Sequence, residues 1–340
     1  MPINNKQTST ASLFDWLLQY RQEWLRFDLI AGLITAAVVI PKAMAYATIA
    51  GLPVQVGLYT ALLPMFLYAL IGTYRPLSVS TTTTLAILMA TQLGQVVPDG
   101  DPAALMRASV TLTLLVGVIL MLASLLRLGF VANFISEPVL VGFKAGIGLV
   151  IVLDQIPKLL GVHFAKGDFL HNLIALIHAI PETSLPTCVV GVVMMLLLVG
   201  LEHFLPKAPA PLIAVAAGIG AMGLFGLQAH GVETVGHIPR GLPSLVWPNF
   251  ALVEQLWPGA LGIALMSFTE TIAAGRAFAA GGEPTLRPNR ELLATGLANA
   301  FSSVLGAMPS GGGTSQTAVN RPLPERAPSW RQWSRPWPRS

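Results

Sequence analysis

The sequence has 340 residues, of which 54% are hydrophobic and 11% are charged; its mean hydropathy of +0.67 is typical of an integral membrane protein and excludes a soluble domain of useful size. The formal net charge of +4 comes from residues 321–340, which hold five Arg against one Glu, whereas the preceding 320 residues balance fifteen basic against fifteen acidic side chains. The basic balance therefore does not indicate nucleic acid as a partner.

The N-terminal residues predict a cytoplasmic start. Residues 1–12 are polar and lack the basic start, short apolar core and cleavage site of a secretory signal. Residues 14–25 interleave apolar and aromatic side chains with charged ones, which is typical of an amphipathic helix lying at the cytoplasmic interface.

The first predicted membrane span, residues 29–50, contains a proline and a lysine side by side. Pro41 removes a helix hydrogen bond and predicts a kink. Lys42 is the only cation of the span, and an intramembrane lysine is by default a functional candidate that faces a cavity. The alternative is a lysine near a helix end that snorkels to the interface. The mainly apolar residues between the start of the span and Lys42 favour the functional role.

Two polar stretches interrupt the apolar pattern. Residues 75–84 (RPLSVSTTTT) join the apolar run 56–73 to the run that starts at residue 85, and residues 309–320 (PSGGGTSQTAVN) follow directly after the run 292–308. Non-helical backbone at membrane depth is tolerated only where it is buried in protein or lines a watery cavity. Half-helices that begin at such breaks point their N-terminal amides, with a partial positive charge, at the cavity. The two breaks together predict an anion site, although each alone also fits an ordinary polar loop.

The remaining apolar runs predict further spans, at residues 56–73, 85–97, 108–126, 138–160, 186–204, 211–227, 258–279 and 292–308. With the N-terminus inside, the inner loops collect nine Lys and Arg against four outside, which obeys the positive-inside rule. Residues 161–185 and 228–257 are then outer loops, and their histidines show no metal-ligand spacing. Cys188, the single cysteine, sits in an apolar run, so we expect neither a disulfide framework nor a cysteine-based metal site. No other metal site and no cofactor are expected.

Glu270 is a carboxylate in the middle of the span 258–279. A buried carboxylate can take up a proton or coordinate a cation, and either makes it a candidate coupling site. An intrahelical ion pair with Arg276 is the alternative, but six residues exceed the three- or four-residue spacing of such pairs. Asp154 precedes Lys158 by four residues and is therefore interpreted as structural.

Several motifs together resemble the SulP-type anion permeases, the sulfate permease family. They are FDLIAGL (27–33), IPKAMAYA (40–47), AGLP (50–53), GLYT (57–60), LIGT (70–73), SVS (78–80), GFVANFIS (129–136), GF (142–143), ET (270–271), RAFA (276–279), ELLATGLAN (291–299) and GTSQTAVN (313–320). The resemblance covers nearly all of residues 25–320.

The resemblance implies an all-α integral membrane protein with the SulP-type inverted-repeat transporter fold of seven plus seven segments. This chain would hold the first repeat and about three segments of the second. The implied domains are a cytoplasmic N-terminal segment (1–25), segments 1–7 of the first repeat (26–227), an extracytoplasmic loop (228–257), segments 8–10 (258–320) and a tail (321–340). The tail, rich in Arg, Pro and Trp, lies where the family continues with further spans, and a frameshift or a mispredicted gene end is the hypothesis for it.

In the family, short extended pieces at the start of the third and tenth segments face each other and hold the anion between the half-helices that follow. Carried over by motif, these pieces are residues 78–82 and 314–317. The implied substrate-binding residues are Lys42, Ser80, Thr81, Thr82, Thr314, Ser315 and Gln316, and the implied coupling carboxylate is Glu270.

Three departures leave the substrate open. Many members have Gln where Lys42 stands, Gly-Pro where Ser80-Thr81 stands, and Arg where Gln316 stands. A cation moved from the tenth segment to the first keeps the charge of the site and changes its geometry.

The function expected from the resemblance is secondary active transport of a small inorganic anion, first of all sulfate, by alternating access with proton or sodium coupling and without enzymatic chemistry. The expected location is the bacterial inner membrane, with the N-terminus in the cytoplasm, and the family often forms homodimers. Bicarbonate or dicarboxylate transport and a nontransporting truncated remnant remain open. A nucleobase permease of similar architecture is disfavoured because the motifs match the anion family.

Overall fold

The computed structural model describes residues 22, 25–74, 76–134, 137–162, 164, 169–205, 210–232, 241, 243–278 and 286–320. Most of the predicted amphipathic segment 14–25, the tail 321–340 and Arg75 lie outside these residues, and so does part of the predicted loop 228–257.

Eleven α-helices are found within the described ranges. They are α1 (Leu25–Ile49), α2 (Val54–Ile71), α3 (Thr83–Val96), α4 (Pro102–Leu125), α5 (Glu137–Leu160), α6 (Phe169–Ala179), α7 (Leu185–Phe204), α8 (Ala210–Phe225), α9 (Val253–Phe278), α10 (Pro288–Ser303) and α11 (Thr314–Asn320). Short 3₁₀ helices cover Leu128–Phe134, Ile180–Glu182, Leu227–His230 and Phe250–Leu252. Two short strands, β1 (Val79–Ser80) and β2 (Gly311–Gly312), pair with each other.

Some of the predicted spans contain a helix that is long and apolar enough to cross a membrane by itself. Among the described residues, four helical stretches are individually long and apolar enough: Ala31–Ile49, Val54–Ile71, Pro102–Leu125 and Phe250–Phe278. Helices α3, α8 and α10 have 14, 16 and 16 residues, fewer than the roughly 20 that a hydrocarbon core requires. β1 lies just before α3, so the extended break and the helix together form a segment longer than the helix alone.

The prediction of an outer loop at residues 161–185 is wrong in part. Helix α6 occupies Phe169–Ala179 and, with the short 3₁₀ turn after it, meets α7 at an angle of 109°. Its apolar side chains recur at helical spacing, but its 11 residues are fewer than a membrane span needs, so the segment was assigned to the loop between two predicted spans. His171 and His178 lie on this helix. Helix α9 likewise begins at Val253, five residues earlier than predicted, with Pro258 inside it.

The main apolar core is shared by helices α1–α4, α9 and α10. Its fully buried members include Val56, Leu85, Leu112, Ile263 and Leu292. Helices α5–α8 instead expose many large apolar side chains, among them Leu196 and Leu224, as expected of surfaces that face lipid. The site described below sits in the first group of helices.

Helices α4 and α10 cross at glycines. A Cβ added at Gly117 would lie 2.6 Å from the backbone nitrogen of Ala300, and one added at Gly296 would lie 2.9 Å from that of Met121. Small residues allow such close backbone approach where no hydrophobic effect drives helices together. This crossing fixes α10 against the core and so fixes the chain that leads into β2.

Candidate functional site

The two predicted breaks are extended, buried and paired. β1 and β2 run antiparallel, with Val79 opposite Gly312 and Ser80 opposite Gly311. Both strands are buried, and the Gly313 amide donates to the carbonyl of Ser78 at 3.0 Å. Of the two surroundings expected for non-helical backbone, protein or a watery cavity, these strands show burial in protein. The pairing brings the first turns of α3 and α11 to the same place.

The prediction of the second extended piece is wrong in position. Residues 314–317 form the first turn of α11, and the extended piece is Gly311–Gly312, immediately before them. Glycine is a poor helix former, and a Cβ at Gly312 would come within 2.7 Å of the Thr271 Cα atom. Glycine thus allows β2 to lie directly against α9.

Helix α9 holds the second break with hydroxyl groups one turn apart. Ser267 Oγ donates to the Ser310 carbonyl at 2.7 Å, and the Gly312 amide donates to Thr271 Oγ1 at 2.9 Å. Asn299 of α10 completes the support, because its Oδ1 accepts from the Ser310 amide at 2.7 Å and its Nδ2 donates to the Ser310 carbonyl at 3.1 Å. These buried side chains satisfy backbone groups that lipid would leave unpaired.

Lys42 reaches the second break from α1. Its Nζ atom donates to Ser315 Oγ in the first turn of α11 at 3.0 Å, and the side chain is half-buried. Among the described residues Lys42 has no carboxylate partner. The geometry is that of a lysine turned into the protein, which argues against the snorkelling alternative. Gly57 of α2 lies against the Ala43 carbonyl, so α2 packs closely on α1 beside Lys42.

Glu270 reaches the first break from α9. Thr82 Oγ1 donates to Glu270 Oε2 at 2.8 Å, and the same hydroxyl accepts from the Leu85 amide at 3.3 Å as the N-cap of α3. Thr82 therefore connects the carboxylate to the N-terminus of α3. Arg276, six residues along α9, donates to the Ala132 carbonyl at 3.1 Å.

The other predicted site residues differ in their surroundings. Gln316 is buried, and its Oε1 accepts from Ser80 Oγ at 2.8 Å and from Ser78 Oγ at 3.3 Å. Thr81 is also buried, and its hydroxyl has no hydrogen-bond partner among the described residues. Thr314 and Ser315 are exposed. The pairing of the breaks thus brings all eight predicted residues into one region at the starts of α3 and α11.

Sequence reasoning missed the side chains that support this region. Ser267 was not named, Thr271 and Asn299 were quoted only as parts of motifs, and Thr317 was included in the predicted piece 314–317 but not among the binding residues. The Thr317 hydroxyl accepts from the Ser78 amide at 3.2 Å. The available signal was a set of hydroxyl and amide side chains in otherwise apolar helices, since such groups need hydrogen-bond partners when buried. Glu291 was quoted only as part of a motif, yet it is fully buried.

Comparison with known proteins identifies the family. The model of the sulfate permease family matches residues 25–322. The chain belongs to this family. Its members among the relatives include a probable sulfate transporter of Mycobacterium tuberculosis, 37% identical over 303 residues that are 88% of this chain and 54% of that protein. The chloroplastic sulfate transporter 4.1 of Arabidopsis thaliana is 32% identical over 90% of this chain and 46% of that protein.

Solved structures share the fold of this sulfate permease family chain. The murine solute carrier 26 family member A9 anion transporter, in the inward-facing state, superposes with a TM-score of 0.81 at 22% identity, over 93% of this chain and 58% of that one. The transmembrane domain of the cyanobacterial bicarbonate transporter BicA superposes with a TM-score of 0.74 at 25% identity, over 88% of this chain and 78% of that domain. The predicted all-α SulP-type transporter fold is thus confirmed. The chain spans about half the length of the curated relatives.

Proposed function

We propose that this chain carries the anion site of a secondary active transporter for a small inorganic anion, with sulfate as its substrate. The observation that carries the proposal is the pairing of β1 with β2, which places Lys42, Glu270 and the starts of α3 and α11 in one region. The names of the curated relatives support sulfate. Bicarbonate is the second candidate, because one superposing structure is that of a bicarbonate transporter.

The anion would bind to backbone amides and to one cation. Amides of residues 80–82 and 314–316 would bind the oxyanion oxygens, as helix N-termini do in general. Lys42 supports this role because its ammonium lies at Ser315 without a described carboxylate partner, and an unpaired intramembrane charge is costly. A divalent oxyanion in the same region would compensate that charge.

Coupling would pass through Glu270 and Thr82. A proton or a sodium ion at the carboxylate changes its charge, and Thr82 connects that carboxylate to the N-terminal turn of α3. The loaded site would then move between the two membrane faces by alternating access. We place the protein in the bacterial inner membrane with a cytoplasmic N-terminus, as a homodimer.

The proposed activity is tested by uptake of radiolabelled sulfate into a strain that lacks its own sulfate permeases and expresses this 340-residue chain. We expect uptake above that of the empty vector, inhibited by unlabelled sulfate and not by uracil. Stronger inhibition by bicarbonate than by sulfate would favour the second candidate. Uptake equal to the vector control, with the chain present in the membrane, would contradict the proposal.

A further inference from the structure

Glu291, in the first turn of α10, is a fully buried carboxylate outside the proposed anion site. Its Oε2 accepts from the Tyr68 hydroxyl at 2.6 Å. Its Oε1 accepts from the Thr73 amide at 3.0 Å and also from the Thr73 hydroxyl. Both partners belong to the C-terminal end of α2 and to the link after it, so one carboxylate joins two segments that lie 218 residues apart in sequence.

The three donors hold the link in one geometry. Helix α2 ends at Ile71, and Gly72 has extended backbone angles. The Cα atom of Gly72 lies so close to the Tyr68 ring that an added Cβ atom would overlap the ring. The ring and the chain are thus in direct contact beside the carboxylate. One carboxyl group that accepts from three donors fixes their positions relative to one another, so Glu291 restrains the chain just where it leaves α2.

Packing carries this restraint to the strand of the proposed site. Tyr68, Tyr74, Leu77 and Val79 form one buried apolar cluster with Ala274 and Ala294. Val79 is the β1 residue opposite Gly312, and the Leu77 side chain also lies against Gly312. The cluster therefore connects the ring that Glu291 holds to both paired strands.

The same link is tied to the helix that carries Glu270. The Tyr74 hydroxyl donates to the carbonyl of Phe278, the last residue of α9, at 2.7 Å. The link between α2 and β1 is thus held to α10 through Glu291 and to α9 through Tyr74. A shift of this link would move Val79 against Gly312 and change the geometry between the first turns of α3 and α11.

We infer that Glu291 is a positioning residue for the anion site: by holding Tyr68 and Thr73 it sets the register of β1 against β2. The role in anion binding rests on the proposed function, whereas the restraint on β1 does not. Removal of the carboxylate would take away the acceptor of the Thr73 amide and hydroxyl and leave the Tyr68 hydroxyl with only the longer contact to the Tyr74 carbonyl at 3.4 Å. Such losses are costly in a buried region, and the link would adopt another geometry. We therefore expect loss of the Glu291 carboxylate to change both the exposure of β1 and the affinity for the anion.

The restraint on β1 is tested by how readily a thiol at residue 79 reacts with a maleimide in the full chain. In a C188A background, the V79C variant places a thiol at a position with 0% exposure, and a membrane-permeant maleimide is applied in the absence of sulfate. We expect E291A to raise the labelling rate by about tenfold or more, as expected when a buried hydrogen-bond acceptor is lost. E291Q keeps an acceptor for Thr73 and should raise it far less. E254A, at an exposed glutamate on α9, is the matched control and should change nothing.

The anion site is tested by the half-saturating sulfate concentration for uptake, which does not depend on the amount of chain in the membrane. E291A should raise this concentration by about tenfold, and E291Q should largely restore it. If E291A does not insert, Y68F removes one donor and should give a smaller change of the same sign in both measurements. Unchanged labelling in E291A and Y68F would overturn the inference, as would increased labelling with unchanged sulfate affinity. A wild-type chain without sulfate uptake would count against the proposed function, while the labelling would still decide the role of Glu291 in the strand.

Discussion

Replacement of Lys42 by Gln is expected to weaken sulfate binding by roughly ten- to hundredfold. The Lys42 Nζ atom donates to Ser315 Oγ in the first turn of α11 at 3.0 Å. A hydrogen bond to a charged group in a protein contributes about 1.5–3 kcal/mol. Glutamine keeps a polar side chain at this position but removes its charge. The measurement is the half-saturating sulfate concentration for uptake, or the dissociation constant of the purified chain.

K42R and K158Q are the controls for this prediction. Arginine keeps the charge but not the compact ammonium, so K42R should lie between wild type and K42Q. Lys158 is exposed near the end of α5 and donates to Gln155; its neutralisation should leave sulfate affinity unchanged. If K42Q binds sulfate as tightly as the wild type, Lys42 is not part of the anion site.

Replacement of Glu270 by Gln is expected to abolish the dependence of uptake on the driving-ion gradient. The amide is nearly isosteric and still accepts from Thr82, but it can neither take up a proton nor bind a cation by its charge. For a proton-coupled carrier, a gradient of one pH unit supplies about 1.4 kcal/mol per proton, which is about a tenfold accumulation. The E270Q variant should lose this accumulation and still equilibrate sulfate across the membrane.

The coupling prediction is measured by sulfate accumulation in vesicles with an imposed proton or sodium gradient, with and without an ionophore. E254Q, which neutralises the exposed glutamate of the same helix, should accumulate sulfate like the wild type. Gradient-driven accumulation by E270Q at the wild-type level would remove Glu270 from the coupling mechanism. The gradient that drives the wild type also decides between proton and sodium.

The two breaks that form the candidate site could be predicted from the sequence because polar stretches in apolar runs are conspicuous. The Ser and Thr residues within 78–84 and the glycines at 311–313 are poor helix formers. Non-helical backbone at membrane depth must be buried in protein or line a cavity. Lys42 and Glu270 were predictable for a similar reason, since ionisable side chains are rare in spans. Their roles in binding and coupling remain predictions.

The supporting residues and some boundaries could not be predicted, because they depend on contacts between distant segments. No local sequence pattern indicates that Asn299 accepts a hydrogen bond from the Ser310 amide, or that Glu291 accepts hydrogen bonds from Tyr68 and Thr73. The extended piece of the second break was predicted three residues too far along the chain. The resemblance identifies the motif but does not give the backbone conformation of each of its residues. Helix α6 was missed because its 11 residues are too few for a membrane span.

The most direct test of the account is to locate a bound oxyanion. Selenate has the shape and charge of sulfate, and its selenium gives an anomalous signal in a crystal of the purified protein. We expect one selenium peak between the first turns of α3 and α11, within hydrogen-bond reach of Lys42, and no such peak in a K42Q crystal. Selenium bound elsewhere in the wild-type protein, or bound equally in K42Q, would contradict it.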